Sequence, residues 1–175
     1  LKTYKIMMKN LFFLTLILLF VSCNHNLINK WENYDESEEI KTNATIENKR
    51  LQFKRIQSIS NDKNQLINGF EREIFNFLEN EYDLTKELVH EKSIPEIQQS
   101  VIDGKLTYYK LSLFYLTRIY LIEFDKESYL NSIISINKNI LREAKIKDKI
   151  KNTNIYSLHG IPILLKDNIG FKGLP

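Results

Sequence analysis

Residues 106–124, "LTYYKLSLFYLTRIYLIEF", most constrain the fold, because they predict a helix that is apolar on nearly all sides. Thr107 is placed to cap the start of this helix with its side-chain oxygen. Such a helix needs cover from other elements on most of its faces, which is typical of the centre of a larger core. The chain has 175 residues, 43% of them hydrophobic, and is long enough for one domain with such a core.

Two amphipathic segments before this helix are also predicted to be helical. In residues 64–82, "NQLINGFEREIFNFLENEY", the apolar side chains recur at helical intervals. In "SIPEIQQSVIDGK", Ser93 is a predicted N-cap, Glu96 completes a capping box, and Gly104 ends the helix. The apolar stripe of this second helix consists of Ile94, Ile97, Val101 and Ile102.

Two β-branched segments in the second half of the chain predict strands, namely residues 130–137, "LNSIISIN", and residues 160–167, "GIPILLKD". Between them, residues 138–151, "KNILREAKIKDKIK", predict a charged helix on the surface. A helix between two strands is typical of an α/β layer. The sequence therefore predicts an α/β fold in which the helical region leads into the first strands of a sheet.

The first 22 residues predict an export signal. They contain three lysines and no acidic residue, and residues 11–21, "LFFLTLILLFV", are entirely apolar except for one threonine. This run is shorter than the roughly 20 residues that span a bilayer, and it suits the apolar region of a signal peptide, typically about 7–15 residues. Cys23 follows Val21-Ser22, which resembles the lipobox of bacterial lipoproteins. We therefore expect cleavage before Cys23, lipidation of its thiol, and an exported protein held at the membrane, or a cytoplasmic one if the leader is not processed.

The remaining residues divide into a polar and a folded part. Residues 23–49 contain few large apolar side chains and predict a flexible tether, whereas residues 50–175 predict the folded domain. Without the leader lysines, basic and acidic side chains balance, which gives no indication of a nucleic-acid partner. The single cysteine excludes an intramolecular disulfide bond. The sequence contains no zinc-ligand spacing, P-loop or dinucleotide fingerprint, so no metal or cofactor is predicted.

A lysine lies directly behind an apolar run near the end of the chain. Lys166 follows "IPILL" at residues 161–165. A lysine acts as a base only when it is neutral, and burial in apolar surroundings lowers a lysine pKa from about 10.4 by up to about 3–5 units. The apolar run would supply such burial. The alternative is a lysine at the end of a strand that extends its ammonium into solvent.

The segment around Lys166 resembles the lysine segment of the amidase signature family. That family reads L-x-G-I-P, three apolar residues, K-D-N and a further apolar residue, and "LHGIPILLKDNI" at residues 158–169 has this pattern. Upstream, residues 93–119 resemble the leading helical hairpin of the family, and residues 130–137 resemble its first strand. In one departure, Tyr156-Ser157 replaces the usual Gly-Pro.

The resemblance implies an enzyme that hydrolyses carbon–nitrogen bonds of small-molecule or peptide amides with two serines and a lysine. It implies that Lys166 is the catalytic lysine, and that Asp167, Asn168, Gly160 and Pro162 support the segment. His159 is expected to be structural. Both serines of the family lie beyond the stretch that matches up to Pro175, so we expect an N-terminal part of the enzyme, inactive alone, whose α/β/α sheet is incomplete.

Two alternatives remain open at this point. One is the amidase subunit of a tRNA-dependent amidotransferase, which is cytosolic; the leader and Cys23 argue against it. The other is a non-catalytic helical lipoprotein that binds a partner. The sequence does not indicate the oligomeric state.

Overall fold

The structure is a computed structural model that describes residues 28–53 and 62–172. Within these ranges the α-helices are α1 (Ser37–Ala44), α2 (Glu71–Asn80), α3 (Tyr82–Val89), α4 (Ile94–Ile102), α5 (Tyr108–Glu123) and α6 (Ile140–Asp148). Short 3-10 helices span Lys49–Leu51 and Lys63–Leu66. In the part of the chain described here, no helix is both long and apolar enough to cross a bilayer.

Helix α5 is the centre of the molecule, as the sequence predicts. It packs against α2, α3 and α6. Leu111, Phe114 and Leu116 are buried, and Tyr82 of α3 stacks on Phe114 with ring centroids 5.3 Å apart. Each fully buried side chain of this kind contributes about 1.5–3 kcal/mol relative to an exposed one. Neighbouring helices cover α5 on several sides and so bury much of its apolar surface.

The beginning of α5 has two caps. The Thr107 hydroxyl accepts a hydrogen bond from the Lys110 backbone N–H at 3.1 Å, which confirms the predicted cap. The carboxylate of Asp148 accepts from the backbone N–H groups of Tyr108, at 2.7 Å, and Tyr109, at 3.1 Å. Asp148 is the last residue of α6, so this contact also joins the end of α6 to the positive end of α5.

The predicted signals at the ends of α4 are confirmed. The Glu96 carboxylate accepts hydrogen bonds from the backbone N–H of Ser93 at 2.8 Å and from its hydroxyl at 2.6 Å. These bonds lower the pKa of Glu96, chiefly the one from the Ser93 side chain and then the one from its backbone. Gly104 ends the segment with a φ of +74°, a conformation that other residues rarely adopt.

The predicted helix over residues 64–82 is divided in the structure. Its first part is the 3-10 helix Lys63–Leu66, and α2 begins only at Glu71. Gly69 lies between them with a φ of +88°, which is incompatible with a right-handed helix. The apolar spacing nevertheless identified the buried face, because Leu66, Phe70 and Ile74 all lie in the core.

The predicted α/β fold is wrong for the described residues, which are helical and contain no strand. Residues 130–137 and 160–167, predicted as strands, are irregular. A strand is stabilised by a neighbouring strand that pairs with its N–H and C=O groups, and among the described residues these two segments form no such ladder. Asn131 also has a φ of +51°, which interrupts an extended backbone. The β-branched side chains of Ile133 and Ile136 pack against the helical core instead.

Part of the predicted tether lies against the helical body. Ile28 is 9% exposed, and the Asn29 backbone N–H donates to the Tyr120 hydroxyl of α5 at 3.0 Å. Helix α1 lies further along the same predicted tether. The predicted signal peptide and Cys23 lie outside the described residues.

Candidate functional site

Gly160, near the start of the segment that contains Lys166, packs directly against an aromatic ring. Its φ is +71°, and a Cβ atom added to it would lie 2.4 Å from Cγ and Cδ1 of Tyr108. Both the backbone conformation and the missing side chain are therefore required at this position. Because Tyr108 is the first residue of α5, the contact fixes where the segment leaves the helical body.

A buried glutamine holds the residues just before Gly160. The Gln98 side-chain amide donates from Nε2 to the carbonyl oxygens of Ser157, at 2.7 Å, and His159, at 2.9 Å. Its Oε1 accepts from the Tyr108 hydroxyl at 2.7 Å and from Asn152 Nδ2 at 3.1 Å. Gln98 thus uses both donors and both lone pairs of its amide. We call Gln98, Tyr108, Asn152 and Gly160 the anchor cluster.

His159 packs as a structural residue beside the anchor cluster. Its ring meets that of Tyr108 edge-on, with centroids 5.3 Å apart. Its Nε2 lies 3.3 Å from the carbonyl oxygen of Lys147. In the described part of the chain, no group of three or more His, Cys, Asp or Glu side chains could hold a metal ion.

The apolar run before Lys166 faces solvent in the described structure. Ile161 packs against the core and Pro162 is half-buried, but Leu164 is 75% exposed and its two neighbours in the run are exposed as well. Lys166 itself is exposed. The apolar surroundings expected around this lysine are therefore absent from the described residues, and its catalytic role stays a prediction.

A turn follows Lys166. The Ile169 backbone N–H donates to the Lys166 carbonyl oxygen at 2.9 Å, and Asp167 and Asn168 occupy the two central positions. Both residue types are common in turns because their short polar side chains tolerate such backbone conformations. The turn therefore begins at the lysine itself, immediately after the apolar run.

A second buried cluster lies at the other end of α5. Lys63 Nζ donates to the Glu123 backbone carbonyl at 2.9 Å and lies 3.2 Å from Glu123 Oε2. The same ammonium lies over the rings of Trp31, 4.2 Å from the centroid, and Tyr129, 4.4 Å from the centroid. Glu123 Oε1 accepts from the backbone N–H and hydroxyl of Ser132 at 2.8 and 2.7 Å. The charged groups of this cluster bind one another, so it is a structural site.

The environment of Glu123 changes its acidity. Burial acts to raise the pKa of its carboxyl group, but the two hydrogen bonds from Ser132 and the contact with the Lys63 ammonium outweigh burial. The pKa of Glu123 therefore lies below its usual value of 4.5. The carboxylate is the form that the fold stabilises.

Three members of the anchor cluster are not among the residues predicted from the sequence, namely Gln98, Tyr108 and Asn152. A signal for Gln98 was present, because it directly follows Ile97 and is one turn beyond Ile94, on the face predicted to be apolar. In the structure Ile97 and Gln98 are both buried. A polar side chain on an apolar face requires buried partners, and that requirement could have identified the cluster.

Comparison with protein families, curated proteins and solved structures finds no match to this chain.

Proposed function

We propose that this chain is the N-terminal part of a lipid-anchored amidase in which Lys166 is the catalytic base. The observation that carries the proposal is the segment "LHGIPILLKDNI", whose glycine lies against Tyr108 and whose apolar run precedes the lysine. The segment is held in place at Gly160 and exposes apolar side chains beyond it. Such exposed apolar side chains are expected of a segment that another part of an enzyme covers.

The proposed reaction needs a neutral lysine. Lys166 Nζ accepts a proton from a bridging serine, which takes one from the nucleophilic serine as that serine adds to the amide carbonyl. The proton returns by the same route to the leaving amine as the C–N bond breaks, and water then hydrolyses the acyl-enzyme. Ser132 and Ser157 are poor candidates for these two roles, because the Ser132 hydroxyl donates to Glu123 and the Ser157 hydroxyl accepts from the His159 backbone. We therefore expect both serines outside the described residues.

Activity also requires cover over the exposed apolar run. Lys166 is exposed in the described structure, and solvent favours the protonated ammonium, which cannot act as a base. Cover over Ile163, Leu164 and Leu165 would remove both this apolar surface and the neighbouring lysine from water. In the proposed enzyme, the covered apolar run therefore removes the catalytic base from water.

The test uses the chain extended by the coding sequence that follows Pro175. With a simple aryl amide as substrate, Lys166→Arg is expected to lower turnover by a factor of about 10²–10⁴, because a guanidinium stays protonated. The control is Lys172→Arg, at an exposed position beyond the apolar run, which is expected to leave turnover unchanged. If Lys166→Arg retains more than about a tenth of the turnover, a barrier change below about 1.4 kcal/mol, the base assignment is wrong.

A second candidate function is that of a non-catalytic lipoprotein that binds a partner through the exposed apolar run. The exposure of Leu164 and of Lys166 favours it, because a binding segment requires no desolvated base. The coding sequence after Pro175 separates the two candidates. An in-frame segment rich in glycine and serine supports the amidase, whereas an in-frame stop directly after Pro175 supports the binding protein.

A further inference from the structure

The N-terminal segment joins the helical body at one end of α5. Ile28 is buried there, and Asn29 donates its backbone N–H to the hydroxyl of Tyr120 near the C-terminus of α5. Asn64 then holds Trp31, accepting its backbone N–H at 2.8 Å and donating to its carbonyl at 2.9 Å. The chain is therefore attached to the body at residues 28–31.

The attachment leaves only a short length of chain between Cys23 and the folded body. Five residue steps separate Cys23 from Ile28. Even fully extended, they reach about 18 Å at most, whereas a free tether over residues 23–49 would reach about 90 Å. An anchor at Cys23 consequently keeps the Tyr120 end of α5 close to the bilayer.

The surface at this end of α5 is an open groove with apolar and cationic side chains. Leu121 is exposed and Phe124 half-buried in its floor, and Lys30 and Lys126 lie beside them. Asp125 and Glu127 also line the groove, so charge alone does not select an anionic surface. Lysines with long apolar stems and exposed apolar residues are typical of a protein face at the lipid interface.

We infer that this groove, at the Tyr120 end of α5, lies against the lipid surface in the anchored protein. The inference rests on the lipid anchor of the proposed function. Tyr108 at the far end of α5 is about 18 Å from Tyr120 along the helix axis, at 1.5 Å per residue. Gly160, packed on Tyr108, therefore lies near the end of α5 opposite to the groove.

The test measures lysine acylation by mass spectrometry on the chain from Cys23 onward, without the apolar leader that would itself bind vesicles. Cys23, the only cysteine, is coupled to a maleimide lipid in phosphatidylcholine vesicles. The reporter is Lys126, which lines the groove, is 68% exposed and is paired with Glu32 at 3.0 Å. The control is Lys105, which is 64% exposed, is paired with Asp103 at 3.1 Å, and lies near the Tyr108 end of α5. On coupling, Lys126 acylation is expected to slow at least threefold while Lys105 acylation is unchanged.

The second part of the experiment lengthens the chain between Cys23 and the folded body. Inserting twelve Gly and Ser residues after His25 is expected to restore the Lys126 acylation rate, because it raises the mean reach of the flexible connection from about 12 Å to about 23 Å. Equal slowing at Lys126 and Lys105, or protection of Lys126 that survives the insertion, overturns the inference. Chemical coupling makes this result independent of lipidation in the cell, which is tested separately by fatty-acid labelling of wild type and Cys23→Ala.

Discussion

Lys63 and Glu123 form a buried ion pair, with 3.2 Å between Nζ and Oε2, although 60 positions separate them in the chain. Their side chains are 8% and 2% exposed. The aromatic rings of Trp31 and Tyr129 cover the ammonium, so the pair also fixes the N-terminal segment and the residues after α5. Loss of one partner would leave the other charge buried without compensation.

The pair predicts a stability that depends on pH. Because the folded-state pKa of Glu123 is lowered, its contribution is fully present above the usual value of 4.5 and is lost as the pH falls through the lower folded value. Urea denaturation between pH 3 and pH 7 is expected to show a steeper loss of unfolding free energy for wild type than for Glu123→Gln. At pH 7, Glu123→Gln is expected to cost about 3–5 kcal/mol.

The control for this experiment is Glu127→Gln, at an exposed position four residues further on. It is expected to change the free energy of unfolding at pH 7 by less than about 0.5 kcal/mol. Parallel pH curves for wild type and Glu123→Gln would show that the Glu123 carboxylate is not selectively stabilised by the fold.

Gln98 is expected to be the most sensitive polar residue of the anchor cluster. Gln98→Leu preserves approximate size but leaves the buried Tyr108 hydroxyl without its acceptor and the part-buried Ser157 and His159 carbonyls without their donor. Each unsatisfied buried group costs about 1–3 kcal/mol. We expect a loss of about 2–5 kcal/mol in urea denaturation and faster hydrogen exchange around Gly160. Gln99→Leu is the matched control, because Gln99 is exposed and bonds only to Asp103 on its own helix in the described contacts. Equal effects of the two substitutions would contradict the assigned network.

Gly160 is predicted to tolerate no side chain. Gly160→Ala introduces a Cβ atom into the Tyr108 ring at a positive φ, where the conformation costs an alanine about 1–2 kcal/mol before any clash. We expect a loss of about 2–4 kcal/mol in unfolding free energy, since overpacking adds a further 1–3 kcal/mol or so. Gly170→Ala is the control, because its added Cβ meets no atom within 4 Å. A Gly160→Ala protein as stable as Gly170→Ala would show that the segment does not rest on Tyr108.

Local sequence signals predicted the helical part of the fold well. The prediction of strands was wrong, because strands depend on pairing between segments that are distant in the sequence. The Ser93 and Thr107 caps, and the apolar character of α5, depend on residues close in sequence. The predicted strands at residues 130–137 and 160–167 depend on pairing partners, which β-branched composition alone does not specify. The sequence does not predict the contact between Gln98 and Asn152, because these residues are 54 positions apart and meet only in the folded chain.

The exposed apolar run is expected to make the protein self-associate. Leu164→Glu places a charge in the run, where Ile163 and Leu165 are also exposed, and it is expected to reduce both dye binding to apolar surface and elution above the monomer size. Leu84→Glu is the control, because Leu84 is comparably exposed but lies among charged residues on α3. If both substitutions improve the monomer fraction equally, a general gain of charge explains the effect.

Trp31 is the only tryptophan of the chain, and its ring lies against an ammonium group rather than in the main core. Its emission therefore reports on the contact between the N-terminal segment and Lys63, separately from the helical body. Helix content is followed by far-ultraviolet circular dichroism, to which the helices around α5 contribute. Release of the N-terminal segment and melting of the helices can thus be followed by two optical signals in the unmodified protein. If the two unfolding transitions coincide, the segment and the helices unfold cooperatively; if they differ, the two parts unfold separately.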